Sequence, residues 1–517
     1  MKRATLCLVL VLIWSLPYSA RSQTSEVDAT SYGLDPGIFS VGFQLLEDLD
    51  LSRAVTGGVS SSSAHPRPIR TYLWYPANRP DDAQSMRFAD YARLADDDIW
   101  PVGIAGDLHD ELKYSRRVLA RSLGDEGFDA LLKRPVLAIE SADAMDGPFP
   151  LVIIAQGLYY ESPVAFAALA EYLAGRGFVV ATCPLVGTNS PLVRIDIQGL
   201  ETQARDLEFA IAKARGFSFV SQDKLGVFGF DMGGMAGLIL TMRNPDVDAF
   251  VSVSSGILYR HPSGVPMDSP YYDPLALRVP WLHSMPTEWT TQEQDSESES
   301  LFDTAVYSER YLLLTEEMGH VDYTGYALID GRAAMGGYWA ASDPAGAKGF
   351  KAVAQYIATF FGAYLARNPE SLAFLSQDPK ETVPGSTMTL EHRPAIPLSI
   401  TYEEFVQAVI AGQAEQAIEK VRLLRDTQPD HILLNDSYLQ RMIWSLRDTW
   451  GFVDQALPVI DFMVELYPES INAQTMLAEG YIDMGDYPAA IKIYSRLVEQ
   501  NPDNDSFKSR LEWLQSQ

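Results

Sequence analysis

Residue type and spacing first suggest chemistry in the stretch GVFGFDMGG, residues 226–234. A short apolar run leads into Gly229, Asp231 and Gly233, and the helix-forming run MGGMAGLILTMRN follows. The two glycines remove side chains from a crowded strand–turn–helix bend. The pattern G-x-S-x-G presents a nucleophile at the carboxyl edge of a sheet in this way; here aspartate stands where serine would. His320 lies downstream, past the predicted strand RYLLLTEE (310–317) and Met318–Gly319. An imidazole at that edge can accept a proton or activate water near neutral pH. Asp231 and His320 are therefore the candidate catalytic pair. Backbone N–H groups of Leu158 and Met232 are the candidate oxyanion hole, aimed at developing negative charge. The group that orients the histidine stays open. The other six histidines are scattered without an HExxH-type pair, and His283, inside a predicted strand, reads as a core residue. Neither a metal site nor a cofactor is expected.

Alternating strands and helices must position these groups. FPLVIIAQG (149–157) and FVVATCPL (178–185) are continuous apolar runs of the kind buried in parallel sheets. KLGVFGF, AFVSVSSG, VPWLHSM and RYLLLTEE add strands, while 161–177, 199–216, 232–244 and 345–367 have helical spacing. IRTYLWYPA (69–77) reads as a further strand, and 24–66 as irregular chain. The expected fold is α/β, a doubly wound, mostly parallel sheet over 24–376, whose ligands bind at the strands' carboxyl ends.

Residues 377–397 read as a linker, and 398–517 change character. Gly412, Gly451 and Gly485 are each followed five residues later by an alanine and twelve residues after that by a proline. These markers resemble tetratricopeptide repeats, with a five-residue insertion between the first two copies. Such a helical repeat domain implies docking of a protein or peptide partner, or packing onto the sheet domain's own site.

Composition bounds the rest. The 517 residues include 40 basic and 68 acidic side chains, a formal charge of −28, which disfavours nucleic acid as a partner. Residues 1–22 read as a secretory signal peptide: Lys2 and Arg3, the apolar run up to Pro17, then small residues. The run is short for a membrane span, so the expectation is a secreted or periplasmic chain without a span after cleavage. Only Cys183 then remains, read as a buried inert thiol.

The stretches LWYPA (73–77), PLVIIAQGL (150–158), QARDLEFAI (203–211), GFDMGG (229–234) and MGHVDYTGY (318–326) together resemble an α/β-hydrolase of the dienelactone hydrolase or platelet-activating-factor acetylhydrolase type. The resemblance implies hydrolysis of a small-molecule ester, with His320 as base and an acid either near Ser254–Ser255, where this chain has serines, or after the next strand, where Glu288 stands in SMPTEW; Asp295 in the acidic stretch QEQDSESES is a weaker candidate. Gln156 stands where relatives often carry histidine. A carboxylate nucleophile attacks saturated carbon more readily than an ester, since an ester would give a mixed anhydride. That is the chemistry of α/β-hydrolases resembling haloalkane dehalogenases or epoxide hydrolases. Those usually carry tryptophan after the aspartate, where this chain has Met232; Tyr159 and Tyr160 are candidate acids for epoxide opening. The alternative is an inactive hydrolase-like binding or scaffold protein.

Overall fold

The computed structural model describes residues 33–56, 64–80, 83–98, 119–158, 162–189, 193–258, 265–289, 300–316, 318–329, 343–396, 400–422, 424–425 and 428–517. The leader 1–22, Tyr159, Tyr160 and Asp295 lie outside the described residues. The chain packs as two compact units that divide between Ala395 and Ile396.

The first unit is built on one sheet. Among the described residues its strands are β1 (Ser40–Thr56), β2 (Ala64–Ala77), β3 (Ala138–Glu140), β4 (Phe149–Ala155), β5 (Val179–Thr182), β6 (Val220–Phe230), β7 (Ala249–Val253), β8 (Trp281–Pro286), β9 (Arg310–Thr315) and β10 (Thr389–Arg393). Their order is β10-β9-β8-β7-β6-β4-β5-β2-β1-β3. From β5 to β9 the pairing is parallel, and β2 and β10 join antiparallel. Leu151 to Ala155 of β4 are buried on both faces, which is why that run is apolar without alternation. Helices α1 (Ala167–Ala174) and α4 (Asp343–Tyr364) contribute to one apolar layer, and α2 (Ile197–Ala214) and α3 (Met232–Arg243) to the other. Helix α2 starts where Asp196 accepts the Gly199 N–H at 2.9 Å, and buries Leu200, Ala204, Leu207, Ile211 and Ala214 at helical spacing.

The chain runs from β4 to β5 on one side and then returns to β6 on the other. This reversal opens a crevice between the carboxyl ends of β4 and β6, where ligands of open α/β sheets bind. Gly157–Leu158 follow β4, and Asp231 follows β6, so both line that crevice.

Two stretches differ from the sequence expectation. Residues 40–56, expected to be irregular, form β1, a long antiparallel partner of β2. Residues 378–393 of the expected linker are structured: Asp378 caps a short helix, Pro379–Thr382, and β10 extends the sheet beside β9.

The second unit is helical. Three pairs follow each other: α5 (Tyr402–Ile410) with α6 (Ala414–Arg422), α7 (Asp436–Trp444) with α8 (Val453–Leu466), and α9 (Ile471–Asp483) with α10 (Tyr487–Gln500); α11 (Asp505–Gln515) closes the series. Gly412, Gly451 and Gly485 all turn at φ 75° between paired helices. Ala417, Ala456, Ala478 and Ala490 are buried where helices meet. The five extra residues have two locations. Pro429 precedes its next helix by seven residues and Pro468 by three, with a 3-10 turn at Ile432–Leu434 taking up the difference of four. The fifth is absorbed in a π-turn, Ser445–Thr449, that prolongs α7. A π-turn is how a helix accepts one inserted residue without losing register.

Candidate active site

The elbow after β6 is strained. Asp231 sits at φ 51°, ψ −123°, a region costing a non-glycine residue about 1–3 kcal/mol. Its backbone is clamped from three directions. Its N–H is donated to the Val253 carbonyl at 3.2 Å. Its carbonyl accepts the Gly234 N–H at 3.0 Å and the Ser255 hydroxyl at 2.7 Å. Gly233 is required by contact, since a Cβ there would collide with the Ala155 carbonyl oxygen of β4. Gly157 is required by the aspartate itself: a Cβ would lie 2.5 Å from the Asp231 Cβ.

That close approach sets the position of the carboxylate. The Leu158 N–H donates to Asp231 Oδ2 at 2.9 Å. The predicted oxyanion-hole donor and the predicted nucleophile are thus directly bonded in the resting site. Met232 opens α3, where the first N–H groups have no intrahelical acceptor. Gln156 is fully buried; its side-chain amide N–H donates to Thr182 Oγ1 at 2.8 Å, and its backbone carbonyl accepts from the Gln203 side chain at 2.7 Å. It braces the β4–β5 end rather than contributing a titrating group.

His320 begins a short 3-10 turn, His320–Tyr323, after β9. Its ring stacks on Phe230, the residue before Asp231, with centroids 4.6 Å apart, and on Trp289 at 5.6 Å. Burial lowers its pKa from 6.5 to about 4, so the ring is neutral near pH 7. Nδ1 lies 2.8 Å from the hydroxyl of Ser254, which is buried just past β7. Glu288, expected as an orienting acid, is exposed beyond β8. Sequence reasoning marked Ser254 as an absent acid and missed it as the histidine's partner. Phe230 and Trp289 were also missed; each adjoins a residue that had been singled out.

His283 is buried in β8, with Nδ1 2.7 Å from Ser252 Oγ and its pKa lowered by burial to about 3. Among the described residues no cluster of three metal-ligating side chains occurs. A cavity of about 670 Å3 opens at the carboxyl end of β5 beside the start of β2. Its guanidinium groups are engaged: Arg67 with Asp206 and the carbonyls of 186–188, and Arg70 with Asp98.

Residues 453–511 match the tetratricopeptide repeat family model. No curated protein sequence matches the chain. Among solved structures, the ferulic acid esterase from Streptomyces cinnamoneus is similar over 70% of this chain and 99% of its own, at 19% identity and a TM-score of 0.51. Likeness at that identity concerns the fold: the sheet unit has the α/β-hydrolase architecture, followed by a helical repeat region.

Proposed function

We propose that the chain is an exported hydrolase of the dienelactone hydrolase or acetylhydrolase-like type, acting on a small ester or related molecule with Asp231 as nucleophile and His320 as its partner. The bond from the Leu158 N–H to Asp231 Oδ2 carries this reading. In this reading the Asp231 carboxylate attacks while its Oδ2 rests on the Leu158 N–H. Attack on a saturated carbon bearing a halide forms an alkyl ester on Asp231 and the halide departs with the electron pair; attack on an epoxide carbon forms the same ester while the ring oxygen keeps the pair, stays on the neighbouring carbon and takes a proton from water. The ester carbonyl oxygen then rests on the Leu158 N–H, next to the N-terminus of α3. Water adding to that carbonyl puts negative charge on this oxygen, where one backbone donor is worth about 3 kcal/mol. The apolar leader supports export to the periplasm or medium, and the repeats support docking of a protein or peptide partner.

A trapping experiment tests the proposal. Wild type and His320→Gln are incubated with a bromoalkane, styrene oxide and para-nitrophenyl acetate, and the peptide containing Asp231 is weighed by mass spectrometry. The expected result is an alkyl adduct on Asp231 that Asp231→Asn abolishes. No adduct and no turnover with any probe would sink the proposal. One observation favours a second reading, a non-catalytic binding protein: a serine hydroxyl, rather than a carboxylate, meets Nδ1 of His320.

A further inference from the structure

Ser254 stands one residue past β7 at φ 46° and is 1% exposed. Its N–H donates to the Ser284 carbonyl at 2.7 Å, and its Oγ lies 2.8 Å from His320 Nδ1. Among the described residues the hydroxyl makes no other hydrogen bond. A hydroxyl carries one proton, and a buried proton donor needs an acceptor. Nδ1 is the acceptor within reach. A ring nitrogen that accepts has no proton of its own, so the single proton of the neutral ring sits on Nε2. The reverse assignment, Nδ1–H donating to Oγ, strands the buried hydroxyl proton at a cost of about 1–3 kcal/mol. Ser252 follows the same logic: its Oγ accepts the Trp281 indole N–H at 2.9 Å, and its own proton goes to Nδ1 of His283.

We infer that Ser254 fixes His320 as the Nε2–H tautomer, a hydrogen-bond donor in the resting site, so that an ester formed on Asp231 is released slowly and the substrate stays covalently attached. The tautomer stands on its own geometry; the retention rests on the proposed role of Asp231. Release requires water to add to the ester carbonyl carbon, the bond from that carbon to the alkyl oxygen to break, and the water's proton to reach a base. Nε2 with a proton already on it has no lone pair for this. The ring must first change tautomer, which breaks the bond from Ser254. Ser254 is thus a positioning residue that sets what His320 can do.

The test has two parts. Nitrogen-resolved NMR of the full, histidine-labelled chain, with His320 assigned through His320→Gln, is expected to show a protonated Nε2 and an unprotonated Nδ1. A protonated Nδ1 in wild type overturns the inference. Ser254→Gly keeps a residue suited to positive φ and is expected to give a tautomer mixture. Ser254→Asp places a carboxylate at Nδ1, and is expected to move the proton there and raise the imidazole pKa by about 1–3 units. The second part follows decay of a bromoalkane adduct by intact mass. Decay at least about 100-fold faster in Ser254→Asp than in wild type is expected. Equal decay overturns the retention. If no adduct forms in either protein, the nucleophile proposal and the retention both fail, and the nitrogen spectrum still decides the tautomer.

Discussion

Ser252–His283 and Ser254–His320 are the same two groups joined in the same way, Oγ to Nδ1, at 2.7 and 2.8 Å. Their serines lie two residues apart along the chain. The first pair is locked inside the sheet: Ser252 and His283 are register partners on β7 and β8, both fully buried. The second stands where β7 has ended, and its histidine comes from the turn after β9. Only there does the imidazole stack against the residue preceding Asp231. A serine–histidine hydrogen bond is therefore not a site in itself. Position at the carboxyl edge, beside the crevice where strand order reverses, separates a core contact from candidate chemistry.

The contrast between the two pairs disappears if the core pair proves dispensable. Ser252→Ala removes the acceptor of the Trp281 indole N–H and the partner of His283, whose Nε2 already lacks a hydrogen bond among the described residues. Two buried polar groups left unsatisfied should cost roughly 2–4 kcal/mol. The check is a lower denaturant midpoint at unchanged slope. A loss below about 1 kcal/mol would mean the pair adds little to the fold.

The two pairs should also differ on titration. Burial lowers both histidines from 6.5, to about 3 for His283 and about 4 for His320. The unfolded chain takes up these protons first. The stability each neutral ring contributes is present above about pH 6.5 and is lost as pH falls toward its folded value. Within that window each histidine should add about 1.4 kcal/mol per pH unit to the slope. Glu171 and Asp98, both raised by burial to about 7, act in the opposite sense, losing stability as pH rises. They are common to wild type and variants, so the slope difference isolates the histidine. His283→Gln should flatten the slope down to about pH 3 and His320→Gln down to about pH 4. An unchanged slope in either variant would show that ring to be protonated in the folded protein as readily as in the unfolded chain.

Much of this arrangement was legible in the sequence because it depends on local pattern. Apolar runs marked the buried parallel strands, paired glycines marked the elbow, and the marker spacing of the repeats matched three turns at φ 75°. β1 was not legible, since its acidic residues break the apolar pattern. Glu47, Asp48 and Asp50 are met by Arg70, Lys213 and Arg53, two of them from other elements. β10 is an exposed edge strand with little apolar character, so it resembled a linker. At the candidate site, Asp231 and His320 were singled out from motif and chain order. Ser254 was hidden because its role depends on a ring 66 residues downstream.

The smallest effect on stability should come from the residue with the largest proposed effect on the histidine. Ser254 holds φ 46°, a conformation in which an L side chain costs about 1–2 kcal/mol and glycine costs little. The repeat turns meet the same demand with Gly412, Gly451 and Gly485. Ser254→Gly relieves that strain, loses one hydrogen bond worth about 1 kcal/mol, and gives the unfolded chain about 0.5–1 kcal/mol of extra entropy. These terms oppose each other, so thermal or denaturant unfolding should place the variant within about 1 kcal/mol of wild type. A side chain kept in a strained position that glycine would fill at no net cost to the fold has its reason in the ring it touches. A loss above about 2 kcal/mol would instead put Ser254 in the same category as Ser252, and the two pairs would differ in location alone.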